Sequence, residues 1–197
     1  MKTQLILLAA GQSKRFGGIK QLADIHGLPM ICHCLSQYRQ DKEWLEGITN
    51  GYVVLGANAK LIAKVLPDNI DTYLVPSWVN GMGYGLAQAI QEVASDTSHV
   101  LIGLADQVAL TQKILSQLID KSKTHPLNIV AAKYAGGLGA PVIFPKKYFL
   151  ELSQLTGDKG AKVLLQKNIR NVKPVDLPLG IVDIDTTQDL DQYLKSY

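Results

Sequence analysis

The run Leu5-Ile6-Leu7-Leu8-Ala9 passes directly into Ala10-Gly11-Gln12-Ser13-Lys14-Arg15-Phe16-Gly17-Gly18-Ile19-Lys20, and this junction constrains the fold more than any other stretch of the chain. Five consecutive apolar residues have the length of a strand buried on both faces. Gly11, Gly17 and Gly18 let the following backbone approach a ligand closely and turn its N–H groups inward. Arg15 and Lys20 add positive charge, Arg suited to bidentate oxygen contacts and Lys acting as a mobile point charge. A strand that opens into such a loop is built to hold something anionic, although the segment by itself is equally compatible with a solvated loop carrying incidental cations.

Two common phosphate-loop templates fail. A Walker A loop counted from Gly11 needs Gly at its sixth position, where Phe16 stands. Gly81-Met82-Gly83-Tyr84-Gly85 approaches the dinucleotide fingerprint, but Leu86 occupies the place of its last glycine. A P-loop enzyme and a standard dehydrogenase are therefore both disfavoured.

The rest of the chain alternates strands with helices. Strand-like runs are Gln4–Ala9, Tyr52–Leu55, Asp71–Val75, Val100–Leu104, Asn128–Ala132, Pro141–Phe144 and Ile181–Asp183. Helical periodicity joins Leu28, Ile31, Leu35 and Tyr38; then Leu61, Ile62, Val65 and Leu66; then Leu86, Ala89, Ile90 and Val93; then Ile114, Leu115, Leu118 and Ile119. A last helix runs through Leu190, Tyr193 and Leu194, opened by a capping-box pattern at Thr186-Thr187-Gln188-Asp189. Such alternation predicts an α/β fold, a Rossmann-like three-layer α/β/α sandwich on a mostly parallel mixed sheet. No linker, repeat or low-complexity tract divides the 197 residues, so 1–197 is expected to form a single domain.

Composition excludes more than it assigns. A net charge of +3 without a basic stripe gives no reason to expect nucleic acid as a partner. The longest apolar runs are strand-length, so neither a spanning segment nor a signal peptide is expected, and the cytoplasm is the expected location. Cys32 and Cys34 lie two apart in a helical pattern, which fits neither a disulfide framework nor a zinc site; reduced thiols are expected. His26, His33, His99 and His125 show no ligand spacing and read as surface or capping residues, and Trp44 and Trp78 read as packing anchors.

In parallel sheets ligands lie beyond the carboxyl ends of the strands. Asp106 stands at such an end, after Val100-Leu101-Ile102-Gly103-Leu104-Ala105. A hard carboxylate beside a phosphate loop suits Mg²⁺, which takes one or two carboxylates plus substrate phosphates; a turn or helix cap would use the same residue. Asp183 and Asp185 form a second acidic pair, able to complete a metal site or to cap the last helix.

Six segments resemble, in register and in order, the molybdenum cofactor cytidylyltransferase-like nucleotidyltransferases (the MobA-like NTP transferase domain). The loop Leu8-Ala9-Ala10-Gly11-x-Ser13-x-Arg15-x-Gly17-x-x-Lys20 resembles the signature loop. Val75-Pro76-Ser77-Trp78-Val79-Asn80-Gly81-Met82-Gly83 resembles a segment ending in W-x-x-G-M. Leu104-Ala105-Asp106-Gln107 resembles L-A-D-Q, Gly139–Phe144 resembles G-x-P-V-L-F, Gly157–Lys162 resembles G-D-x-G-A-R, and Asp183-Ile184-Asp185-Thr186-x-x-Asp189-Leu190 resembles D-I-D-T-P-E-D-L.

The resemblance implies transfer of a nucleoside monophosphate from an NTP to the phosphate of a small acceptor, molybdopterin among the candidates, with release of pyrophosphate. It implies that Leu8, Ala9, Ala10, Gly11 and Ser13 hold the nucleotide, that Arg15 and Lys20 clamp its phosphates, and that Asn80 and Gly81 wall the base. Asp106 with Asp185 would hold Mg²⁺, and Lys159 and Lys162 would serve the acceptor. The Ala10 form of the loop resembles the cytidylyl branch and favours CTP over GTP. The chain departs from the pattern at Tyr84-Gly85, Val108, Ala140 and Lys162, so the nucleotide loop is intact while the acceptor side is altered. Two rival readings are a sugar-phosphate or alditol-phosphate nucleotidyltransferase of the same fold and a non-catalytic nucleotide-binding regulator.

Overall fold

Apolar residues at successive positions of one strand must be covered on both sides, and the computed structural model shows how this chain does it. The structure describes residues 1–134, 137–177 and 183–196. Seven strands form one sheet: β1 (Thr3–Leu8), β2 (Ile48–Leu55), β3 (Asp71–Leu74), β4 (His99–Leu104), β5 (Ile129–Tyr134), β6 (Gly137–Pro145) and β7 (Val172–Asp176). Their spatial order is β7-β5-β6-β4-β1-β2-β3, with only β6 antiparallel to its neighbours. The helices are α1 (Met30–Ser36), α2 (Ala59–Ala63), α3 (Met82–Gln91), α4 (Gln112–Thr124), α5 (Phe149–Leu152), α6 (Lys162–Lys167) and α7 (Thr187–Ser196).

Alternation along β1 sorts the two faces. Leu5 and Leu7 point into a cluster with Ile31 and Leu35 of α1, Ile62 of α2 and Leu115, Leu118 and Ile119 of α4. Ile6 points the other way, to Leu86, Ala89 and Ile90 of α3, Leu152 of α5 and Leu164 and Leu165 of α6. Helices on both faces of a mostly parallel mixed sheet make the three-layer sandwich expected from the sequence. Each fully buried Leu or Ile contributes roughly 1.5–3 kcal/mol by leaving water.

Topology then fixes where a ligand can go. β1 pairs in parallel with β2 on one side and with β4 on the other, Ile6 standing opposite both Tyr52 and Ile102. The carboxyl ends of β1 and β4 therefore emerge side by side at a switch point of the sheet. Helix α7 closes this end: Asp189 Oδ2 accepts from the backbone N–H groups of Asp185 (3.0 Å) and Thr186 (2.7 Å), and Thr186 Oγ1 accepts from Asp189 N–H (3.2 Å). This reciprocal cap is the one the sequence pattern predicts, with Asp in place of the usual Glu. The Thr186 and Asp185 bonds hold the Asp189 carboxyl below its ordinary range. Tyr193 anchors the helix on Met30, Cys34 and Val108, its hydroxyl donating to the Val108 carbonyl (3.2 Å).

Some expectations are corrected. The helix read from Leu28 starts only at Met30, because Leu28–Pro29 pairs with Asp24–Ile25 in a small hairpin and leaves Leu28 exposed. The second helical pattern ends at Ala63, short of Val65 and Leu66. β7 was not expected: Pro174 interrupts its pattern, and an edge position tolerates the missing N–H. Ile181 and Val182 lie outside the described residues; Asp183 forms an isolated bridge with Gln107. Cys32 and Cys34 are free thiols, Cys34 fully packed. His99 is buried rather than at the surface. Among the described residues no helix is long and apolar enough to cross a membrane.

Candidate active site

A cleft of about 530 Å³ opens beyond the carboxyl ends of β1 and β4. Leu8, Ala9, Ala10, Gly11, Ser13, Arg15 and Lys20 line it from the loop, Asp106 from the end of β4, Asp185 from the approach to α7, and Gly81 from the segment before α3. Asn80 lies in the short helical turn Trp78–Asn80, exposed, and does not form part of this wall; its neighbours Val79 and Gly81 do. Trp78 packs on the core and also reaches the cleft.

The loop is held by its own backbone and by one residue that sequence reasoning missed. Ser13 adopts a left-handed φ of 58°, and its carbonyl accepts from Phe16 N–H at 3.0 Å. Gln21 is buried; its Nε2 donates to the carbonyls of Ala9 (3.1 Å) and Gly11 (3.0 Å), and Ser13 Oγ donates to its Oε1 (3.2 Å). The amide thus fixes the path of the loop through its carbonyls and does not use its N–H groups. The only sequence signal was a polar residue beside Lys20, which does not distinguish it from a surface glutamine.

Charges converge at the mouth. Lys20, its side chain only 11% exposed, places Nζ 2.8 Å from Asp106 Oδ2 and 3.3 Å from Asp185 Oδ1. Arg15, far more exposed, places a guanidinium nitrogen 2.9 Å from Asp185 Oδ2. The second oxygen of Asp106 is buried with no hydrogen-bond partner among the described residues. Asp183 stands nearby; burial pushes its carboxyl up to about 6, the negative Asp106 and Asp185 add to the rise, and Lys20 and Gln107 oppose it. Gln107, also buried and missed by the sequence reading, donates from Nε2 to the Ala140 carbonyl at 3.0 Å.

This donor set fits a hard divalent cation. Asp106 and Asp185 already bring one oxygen each to a single ammonium, so both can serve one cation at once. Asp183 stands beside this pair and enters no ion pair among the described residues.

A second cavity of about 500 Å³ shares Leu8, Met82, Leu104 and Asp158 with the first, and Lys159 and Lys162 lie in its wall. The partition joins two motifs distant in sequence. Gly83 N–H donates to the Gly157 carbonyl at 2.7 Å. Gly81, at φ +102°, comes so near that an added Cβ would sit 2.5 Å from the Gly157 carbonyl carbon and oxygen. Only glycine accommodates both demands.

Comparison with known proteins identifies the family and the fold. The family profile of the MobA-like NTP transferase domain matches residues 5–172. Over 132 residues the chain is 28% identical to the bifunctional protein GlmU of Pseudomonas putida strain F1, a match covering 66% of this chain and 28% of that protein. The chain thus spans little more than a quarter of the curated relatives it matches. Rv0371c from Mycobacterium tuberculosis H37Rv superimposes with a TM-score of 0.87 at 26% identity, covering 100% of both chains. A manganese complex of the same mycobacterial protein superimposes at 0.78 with 24% identity, covering 100% of this chain and 99% of that one. CMP:2-keto-3-deoxy-manno-octonic acid synthetase complexed with CTP shares the fold, with a TM-score of 0.78 at 14% identity over 100% of this chain and 98% of that one.

Proposed function

The chain belongs to the MobA-like NTP transferase family, and on that premise we propose that residues 1–197 act as one nucleotidyltransferase domain that moves CMP from CTP onto the phosphate of a small acceptor, releasing pyrophosphate. The observation that carries this reading is the convergence of Arg15, Lys20, Asp106 and Asp185 at the mouth of a cleft that adjoins a second, lysine-bearing cavity.

An acceptor phosphate oxygen attacks the α-phosphorus, a new P–O bond forms, and the bond to the leaving pyrophosphate breaks. Such transfer needs little covalent help; positioning and charge stabilisation dominate. Leu8, Ala9, Ala10, Gly11 and Ser13 hold base and triphosphate, with Gly81 at the base side. Arg15 and Lys20 contact phosphate oxygens and offset charge as it grows on pyrophosphate. Lys159 and Lys162 neutralise the acceptor phosphate so that one anion can approach another. Asp106 and Asp185 would hold Mg²⁺, which would supply charge neutralisation at the phosphates; the manganese complex of Rv0371c supports a divalent ion in this fold.

CTP is favoured because the Ala10 side chain fills space in the cleft wall and a relative of the same fold binds CTP. Molybdopterin is the first acceptor to test. A sugar-phosphate or alditol-phosphate is the second, favoured by the departures Ala140 and Lys162 on the acceptor side. Pyrophosphate release measured across four NTPs with phosphorylated acceptors, molybdopterin included, tests the proposal. Release with CTP and one phosphorylated acceptor is expected; no release with any pair would overturn it, and binding without turnover would leave a regulator.

A further inference from the structure

Lys20 is the least exposed charged group in the cleft's ion-pair network, yet it has two carboxylate partners rather than one. Its ammonium lies between Asp106 and Asp185, at the place where a cation shared by those two carboxylates must sit. Resting on the functional reading above, we propose that Lys20, besides contacting the phosphates, stands in for the divalent ion in the nucleotide-free protein. It holds Asp106 and Asp185 together and admits the ion only in company with a triphosphate.

The argument is one of charge and desolvation. Arg15 and Lys20 pair directly with Asp106 and Asp185, while Asp183 stands beside them as a third carboxyl outside these pairs. A divalent ion arriving alone meets a pair of neutralised carboxylates. To reach them it must displace the ammonium, leaving a largely buried lysine without a partner, which is strongly unfavourable. An ion arriving with a triphosphate brings its own solution: phosphate oxygens become the new partners of Lys20 and Arg15 as the carboxylates pass to the metal. Ion and nucleotide therefore raise each other's affinity by the same factor, as linkage requires. Arg15 contributes less, because it touches only Asp185 and its charge is well solvated.

Mn²⁺ binding to the whole protein, followed by the loss of the free Mn²⁺ paramagnetic resonance signal, tests this with and without a non-hydrolysable CTP analogue. Wild-type protein is expected to bind Mn²⁺ at least about tenfold more tightly with the analogue, within the usual span of coupling between sites. Lys20→Met should bind Mn²⁺ alone about tenfold more tightly than wild type and lose most of the coupling. Arg15→Gln should raise the affinity for Mn²⁺ alone distinctly less. A lysine with a merely structural role would, on removal, leave Mn²⁺ affinity unchanged or weaken it.

Equal Mn²⁺ affinity in wild type and Lys20→Met, or an equal gain in Arg15→Gln, would overturn the proposal. Should Lys20→Met not fold, wild-type melting alone decides. Mn²⁺ without analogue should leave the melting temperature unmoved, and a rise equal to that given by Mn²⁺ and analogue together would refute the inference. Failure of nucleotidyl transfer is distinguishable, because it appears as absent pyrophosphate release while the nucleotide-free Mn²⁺ comparison stays readable.

Discussion

The two ends of β1 and β4 carry similar numbers of polar side chains and put them to opposite uses. At the amino ends Gln4 Oε1 accepts from Thr97 Oγ1 and from Ala94 N–H, each at 3.1 Å. There His99 offers Nε2 to the Pro126 carbonyl (2.9 Å) and Nδ1 to Ser98 Oγ (2.9 Å), so its neutral form is satisfied at both nitrogens. Gln4 and His99 close on neighbouring groups, and the buried hydroxyl left without a partner here among the described residues, Thr3 Oγ1, is neutral. At the carboxyl ends the charges are paired but not finished: Asp106 keeps a buried oxygen without a partner, and Arg15 and Asp185 remain partly in solvent. What separates the two ends is charge: at the carboxyl ends the unpartnered oxygen belongs to a carboxylate already paired with a cation and facing a cleft, the kind of group a ligand site uses.

The sharpest way to break this contrast is Asp106→Asn. Loss of the carboxylate should lower turnover by about three orders of magnitude, since metal-borne charge stabilisation is worth several kcal/mol. Melting should fall moderately, because the largely buried Lys20 loses the nearer of its two carboxylate partners and keeps only Asp185. Near-normal Mg²⁺-dependent turnover in steady-state assays would remove Asp106 from the metal site.

Lys20→Ala comes next. Charge grows on pyrophosphate only as the α-phosphorus bond breaks, so the loss should fall on kcat, by about 10²–10³ as for a removed oxyanion donor. A variant with raised KM for CTP and intact kcat would show that Lys20 acts in ground-state binding alone.

A smaller effect is expected at Ala10, which lines the cleft and packs beside Gly56. One methyl group discriminates by about 1–3 kcal/mol, so CTP should exceed GTP in kcat/KM by roughly tenfold to two-hundredfold. Ala10→Gly should narrow that gap. Equal kcat/KM for both nucleotides in the unaltered protein would move base selection away from Ala10.

The smallest effect belongs to the opposite end. Burial pushes His99 below its ordinary value of 6.5. The folded protein thus favours the neutral ring, and the unfolded chain takes up the proton first as pH falls. The stability is fully present above 6.5 and is lost as pH drops below it. His99→Gln should flatten the fall of melting temperature between neutral and mildly acidic pH, by roughly a few degrees, while leaving kcat unchanged. An unaltered slope would show that His99 is not the titrating group.

Much of this was legible because the signals are local. Leu5 to Lys20 reads as strand, loop and cations in one continuous stretch, and Thr186 with Asp189 announces a cap whose bonds the structure shows. Asp106 is found by its place at a strand end. Gln21 and Gln107 were not found, because their roles depend on carbonyls of other segments. β7 was hidden by Pro174, and the docking of Gly81 on Gly157 joins positions whose meeting no local pattern encodes.

The sequence by itself determined the layers and the chemical kinds of the site: periodicity chose strands and helices, glycines opened a loop, and Arg, Lys and Asp supplied the charges. It could not determine that one ammonium would lie between two carboxylates 86 and 165 residues further along the chain. That was decided by the parallel register of β1 with β4, which brings Lys20 and Asp106 to one edge, and by the docking of Tyr193, which carries α7 and with it Asp185 to the same place. Burial of the core fixes such distances, because only the packed sheet holds these distant segments at ion-pair range.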